Sequence, residues 1–91
     1  KIKIPTAFTP NNIAPNNTYQ IVDNDGIITF FKLEIFNRFG QKVYTSIEKF
    51  GEWDGTFQNE LLAPQVFDFY LNLECVGGKK LFKKGNITLI R

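Results

Sequence analysis

The sequence predicts an all-β fold, a sandwich of about six or seven strands in one domain spanning residues 1–91, and three observations carry that expectation. Between residues 66 and 76 the odd positions Phe67, Phe69, Leu71, Leu73 and Cys75 are apolar, while Asp68, Asn72 and Glu74 punctuate the even ones. Strand side chains alternate faces with period two, so this segment is a strand with one buried face. Ten Phe against no Met and only three Ala (Ala7, Ala14, Ala63) suit strands better than helices. Apolar runs recur at hairpin spacing between clusters of Gly, Pro, Asn and Asp, and no helical period runs through them.

Residues 1–4 alternate Lys and Ile as a short strand, which Pro5 ends or marks as an edge. Residues 9–18 hold Pro10, Asn11, Asn12, Pro15, Asn16 and Asn17. Pro fixes φ and Asn tolerates left-handed backbone, so an ordered loop of about ten residues is expected there. A strand over residues 19–22 follows, closed by the turn Asp23-Asn24-Asp25-Gly26. Phe31, Leu33 and Ile35 then alternate with Lys32 and Glu34; Asn37-Arg38-Phe39-Gly40 reads as a hairpin loop with Gly40 left-handed, and residues 42–46 return as its second strand. Residues 47–64 are expected to be irregular, with Trp53 before the Asp54-Gly55 turn plugging one end of the core. The long strand and its partner from Lys79, joined through Gly77-Gly78, complete the set. Leu81, Ile87, Leu89 and Arg91 share one face, Phe82 does not, and Gly85 is the expected place of a bulge that reconciles the phase.

At 91 residues the chain buries roughly 60 to 65 % of its unfolded surface, enough for a single core. One cysteine excludes an intramolecular disulfide, and Cys75 continues an apolar strand face as a buried thiol. The absence of His removes the commonest general base and transition-metal ligand. Net charge is +2, but Lys79, Lys80, Lys83, Lys84 and Arg91 gather five of the eleven cations into the last thirteen residues. They protect an edge hairpin from aggregation or form a basic docking surface for an acidic partner or membrane face. No run of about 18 apolar residues exists, so no membrane-spanning segment is expected, and no N-terminal signal is seen. The chain begins at Lys1 and runs to Arg91 inside a strand, so it is expected to be the ordered end of a longer polypeptide.

Catalytic constellations are weak. Asp23, Asp25, Glu52, Asp54 and Glu60 sit where turns want acidic residues, and the single serine, Ser46, has no His to activate it. Asp23-Asn24-Asp25-Gly26 opens like a calcium loop, but the rest of the ligand pattern does not follow. Asn16-Asn17-Thr18 and Asn86-Ile87-Thr88 match a glycosylation acceptor that arises often by chance. A stacking platform for nucleic acid around Phe82 lacks a wider basic groove, so no nucleic-acid partner is expected. Trp53 or Tyr70 would suit a carbohydrate if exposed.

Four stretches together resemble one family. They are Ile4-Pro5-Thr6-Ala7-Phe8-Thr9-Pro10-Asn11, then the run from Leu33 through Asn37-Arg38-Phe39-Gly40 to Tyr44, then Trp53-Asp54-Gly55, then Lys84-Gly85-Asn86-Ile87-Thr88-Leu89-Ile90-Arg91. In this order they are similar to the gliding-motility-associated C-terminal domain, the CHU_C type B sorting domain of the type IX secretion system in Bacteroidota. The resemblance implies an immunoglobulin-like antiparallel β-sandwich, with Pro5, Phe8, Pro10, Asn11, Asn37, Arg38, Gly40, Trp53, Asp54, Gly55 and Gly85 as structural motif positions. It implies a non-catalytic folded signal, without cofactor or metal, at the end of a larger protein whose upstream domains are the cargo. The implied partners are components of the type IX translocon and an outer-membrane barrel of the PorP/SprF kind. The implied destination is the cell surface or medium, reached through the periplasm and outer membrane.

Where the family commonly has Asn-Gly-Asp-Gly-x-Asn-Asp, this chain has Asn11-Asn12-Ile13-Ala14-Pro15-Asn16-Asn17. The loop offers only amides and carbonyls, and a calcium site depends on ligand charge. If Ile87 and Leu89 face inward, Asn86, Thr88 and Ile90 face outward beside Lys83, Lys84 and Arg91, an apolar contact with a basic rim. Those six residues are the expected docking surface. Two other readings stay open: an adhesive or ligand-binding immunoglobulin-like module using residues 10–18 and Trp53, and a structural cap without a partner.

Overall fold

Nine strands and no helix make up the described residues of the computed structural model, which are residues 2–10 and 17–91. In chain order they are β1 (Ile2–Lys3), β2 (Ala7–Phe8), β3 (Val22–Asp23), β4 (Ile28–Phe36), β5 (Lys42–Ser46), β6 (Thr56–Phe57), β7 (Glu60–Leu61), β8 (Gln65–Cys75) and β9 (Lys80–Leu89). Five are two residues long, which is why a count by alternation found fewer.

The long strands form one sheet in the order β2-β9-β8-β4-β5. Its centre is β8, whose odd side chains Phe67, Phe69, Leu71, Leu73 and Cys75 are all buried, as the alternation predicted. β4 and β9 flank it antiparallel and bury Phe31, Leu33, Ile35, Ile87 and Leu89 on the same side. The fold is not purely antiparallel: β2 runs parallel to β9, pairing Ala7 with Thr88 and Phe8 with Leu89.

The second layer of the sandwich is slighter, made of β1 with β3, the bridge between Tyr19 and Trp53, and the hairpin β6–β7. Tyr19, expected inside a strand over residues 19–22, pairs alone with Trp53, and regular pairing resumes only at Val22. Trp53 is 2 % exposed and lies between Phe8, Tyr44 and Phe67, with ring centroids 5.4, 6.0 and 5.0 Å away. It plugs the core as expected, and its burial rules it out as an exposed carbohydrate platform. The segment 47–64 is less irregular than its composition suggested, because Gln58 and Asn59 take positive φ angles and turn β6 into β7. Asn and similar polar residues visit the left-handed region at modest cost, so no glycine was there to signal this turn.

The hairpin over Asn37-Arg38-Phe39-Gly40 is as predicted. Gly40 has a φ of 82°, and Asn37 Oδ1 accepts hydrogen bonds from the N–H groups of Phe39 and Gln41. The bulge expected at Gly85 is absent: β9 pairs with β8 without a break from Leu89 opposite Gln65 to Lys80 opposite Glu74. Leu81, Ile87 and Leu89 already share a phase, and Phe82 simply faces the other way. Register shifts occur instead between Ile28 and Phe30 and between Ile35 and Phe36. The loop expected to be ordered over residues 9–18, with Asn11, lies largely at positions 11–16, outside the described residues.

Candidate functional site

Ile87 and Leu89 are 0 % and 1 % exposed, so the last strand presents its even side chains outward. Lys84, Asn86 and Ile90 are exposed on that outer face and Thr88 is half-buried there, its N–H donating to Thr6 O at 2.8 Å. Ile90 keeps 49 % of its surface in solvent. Asn86 stands opposite Asp68, and with its amide nitrogen turned toward the carboxylate the two are 3.0 Å apart. Lys83 in β9 and Arg91 just beyond it belong to the inner phase, and both are exposed. Four of the six expected residues, Lys84, Asn86, Thr88 and Ile90, therefore share the outer face, whereas Lys83 and Arg91 fall in the opposite phase and do not stand beside them as the sequence suggested.

Arg91 is tied down. Its Nε donates to Leu62 O at 2.7 Å and one terminal nitrogen to Gly55 O at 3.4 Å. That end of the sandwich gathers most of the motif positions. Pro5 O accepts the Tyr19 hydroxyl at 2.8 Å, Phe8 packs on Trp53, and Trp53 Nε1 donates to Thr56 O at 3.0 Å. Asp54 Oδ1 accepts from both the N–H and the hydroxyl of Thr56, holding the turn. Gly55, at a φ of 80°, is buried so tightly that a Cβ there would stand 3.0 Å from Leu89 and 3.2 Å from Pro10. These residues build the scaffold that carries the last strand. Arg38, exposed in its hairpin loop, lies 5.9 Å from the ring centroid of Phe39.

Two features escaped the sequence reading. Phe82, Tyr70 and Phe36 form a diagonal across β9, β8 and β4 on the outer face, with Tyr70 stacked on Phe82 at 6.2 Å and edge-on to Phe36 at 5.5 Å. Diagonal neighbours on a sheet are within reach of aromatic rings. The signal was there in three aromatics at positions where the buried phase forbids them. An open groove lined by residues including Phe30, Lys32, Asn72, Lys80 and Phe82 runs along one side of the stack.

The second missed feature is a polar anchor. Asp23 accepts hydrogen bonds from the N–H groups of Ile27 and Ile28 at 3.1 and 3.0 Å and pairs with Lys49 at 3.1 Å, its side chain only 2 % exposed. Desolvation pushes the Asp23 carboxyl up, but the two N–H donors and Lys49 outweigh it and hold the group below its ordinary range. The turn seen in Asp23-Asn24-Asp25-Gly26 is thus braced from within the fold. Glu34 is likewise held low, chiefly by Lys42 at 2.8 Å.

Among the described residues no three His, Cys, Asp or Glu side chains cluster as a metal site would require. No helix among the described residues is long and apolar enough to cross a membrane. Comparison with known families gives a match to the CHU_C type IX secretion signal domain over residues 2–89. No curated protein matches the chain.

Proposed function

This chain belongs to the CHU_C family of type IX secretion signal domains, and we propose that it is a non-catalytic, folded address that carries cargo domains joined ahead of it across the outer membrane to the cell surface or medium. The observation that carries this is the family match across residues 2–89, nearly the whole chain. A type IX signal is recognised by the secretion machinery and leads to export. Beyond that, a translocon with a PorP/SprF-type barrel in a Bacteroidota host is the partner we assign.

The geometry supports the outer face of β9 as the surface that is recognised. A folded signal must hold its side chains in fixed positions, and a strand does so more rigidly than a loop. Lys84, Asn86 and Thr88 stand on a ladder that is unbroken over ten pairs, Ile90 follows just past its end and Lys83 lies at the rim, while Arg91 is tied to Leu62 O and Gly55 O. An apolar centre within a charged rim is the usual anatomy of a protein contact.

The test is a fusion of residues 1–91 behind an unrelated reporter with an N-terminal signal peptide, in a host with a working type IX system. The reporter is expected outside the cell, and one left in the periplasm would sink the proposal. Within it, Ile90→Asp and paired Lys83→Glu, Lys84→Glu should stop export of a still-folded domain. The exposed Tyr70–Phe82 stack favours one second reading, an adhesive module, for which the unaltered fusion would stay in the periplasm.

A further inference from the structure

The two edges of the main sheet are finished differently. On one side β5 is five residues long, and its register with β4 shifts between Ile35 and Phe36. On the other, β2 pairs only with Thr88 and Leu89, so among the described residues nothing lies beyond β9 at residues 80–86. This free stretch has no Pro, no bulge against β8, and a Phe82 that is 55 % exposed. Proteins blunt open edges with short strands, bulges, Pro or Lys. Of these devices only Lys is present here, as exposed Lys79, Lys80, Lys83 and Lys84.

The open edge has a defined polarity. The N–H groups of Thr88 and Ile90 donate to Thr6 O and Phe8 O, on the side where β2 lies. Backbone groups alternate with period two along a strand, so the N–H and C=O groups of Asn86, Lys84 and Phe82 point the same way. Over residues 80–86 they offer about 20 Å of ladder.

We propose that this edge takes up an extended acidic segment of the secretion machinery by strand addition, a step that rests on the sorting-signal function proposed above. In strand addition the main chain supplies affinity and alternate side chains supply selectivity. The lysines supply the selectivity here. Across the ladder Lys80 faces Glu74, but Lys83 faces Leu71 and Lys84 faces Tyr70; Asp68, the acidic residue diagonal to Lys84, stands opposite Asn86, whose amide nitrogen turns to it at 3.0 Å. Glu34, one strand further on, is engaged by Lys42. A second copy of this chain is a poor occupant, because pairing two such edges would bring both sets of lysines onto one seam, and like charges across a ladder destabilise it. A segment with Glu or Asp at alternate positions fits both the backbone and the charge.

The experiment uses the 91-residue chain and a blocked peptide of about nine residues alternating Glu with Val or Thr, long enough to cover the edge. Amide shifts and hydrogen exchange are followed by NMR. Saturable shifts with new protection at the N–H groups of Phe82, Lys84 and Asn86 are expected. The double variant Lys83→Glu, Lys84→Glu should bind about tenfold more weakly or worse. Lys84→Pro, which removes an N–H directed at the open edge, should lose binding with β8 still paired to β9; should this variant fail to fold, the charge variant decides alone. The proposal is overturned by no shift at millimolar peptide, by equal binding of a peptide with Lys in place of Glu, or by protection of the same amides through self-association. The reporter fusion separates the two levels. Export of an unaltered domain that binds no acidic strand overturns the edge proposal alone, whereas failure of export overturns the sorting function and with it the partner assigned here.

Discussion

Gly85 lies directly opposite Phe69 in the ladder between the last two strands, and the phenyl ring folds over the space a side chain would occupy. A Cβ on Gly85 would stand 3.0 Å from Phe69 Cε2 and 3.3 Å from Cζ. The ring is 5 % exposed, so it has little freedom to move aside. Glycine in a strand interior weakens it unless something covers the gap, and an aromatic partner does so here.

Gly85→Val is therefore expected to destabilise the domain by about 1–3 kcal/mol through overpacking, with Gly85→Ala milder. Urea unfolding followed by the fluorescence of Trp53, the single tryptophan, measures this. An unchanged midpoint for Gly85→Val would mean that Phe69 turns away without cost.

Trp53 closes the opposite layer, buried between Phe8, Tyr44 and Phe67 and donating to Thr56 O. Trp53→Ala should cost about 3–5 kcal/mol, the range for emptying a large aromatic site. Trp53→Phe keeps most of the packing but leaves the Thr56 carbonyl without its donor, so it should fall between that variant and the unaltered chain. Thermal unfolding by circular dichroism gives the order, and equal midpoints for Trp53→Phe and the unaltered chain would contradict it.

How far these relations were legible depends on their range. The buried phases of β4, β8 and β9 were readable because period-two alternation is a local consequence of strand geometry, and Asn37 and Gly40 announced their hairpin for the same reason. Gly85 was misread because a strand glycine signals either a bulge or a close neighbour, and only the partner, sixteen positions earlier in sequence, decides which. The short strands β2, β6 and β7 exist by pairing with distant or adjoining partners and carry no period of their own. At the candidate site the outward phase of Asn86 and Ile90 followed from parity. The tether of Arg91 to Leu62 O and Gly55 O did not, since it joins segments twenty-nine and thirty-six positions apart.

Stability should fall at both extremes of pH, from opposite signs. Asp23 has a lowered pKa in the folded state, so its contribution is complete above the ordinary value of 3.8 and is lost as pH falls through the depressed one. Tyr19 is the reverse. Burial raises its phenol above the ordinary 10.0, so its contribution is complete below pH 10 and is lost as pH rises beyond it. Tyr44 adds to the alkaline limb, raised first by burial and then by Asp54, Glu48 and Glu52 against a hydrogen bond with Ser46. Urea midpoints across pH measure both limbs. Asp23→Asn should flatten the acid limb and Tyr19→Phe should make the alkaline limb shallower, while losing about 1 kcal/mol at neutral pH with the bond to Pro5 O. Limbs that kept their slopes in both variants would refute these assignments.

Ile90 and Arg91 are neighbours in sequence with opposite roles in the fold, and that contrast separates recognition from scaffold. Arg91 bonds the carbonyls of Leu62 and Gly55, so Arg91→Ala should lower stability by about 1 kcal/mol, a modest loss because the shorter bond, to Leu62 O, is exposed and the bond to Gly55 O is long and only part-buried. Ile90 exposes half its surface and lies on the outer face, so Ile90→Asp should leave the unfolding midpoint almost unchanged. Export should respond in the opposite order: Ile90→Asp stops the reporter, while Arg91→Ala lets it through at temperatures where the domain stays folded. Paired measurement of urea midpoint and extracellular reporter for the two variants checks this. Loss of export in Arg91→Ala without loss of stability would place Arg91 among the residues the machinery reads.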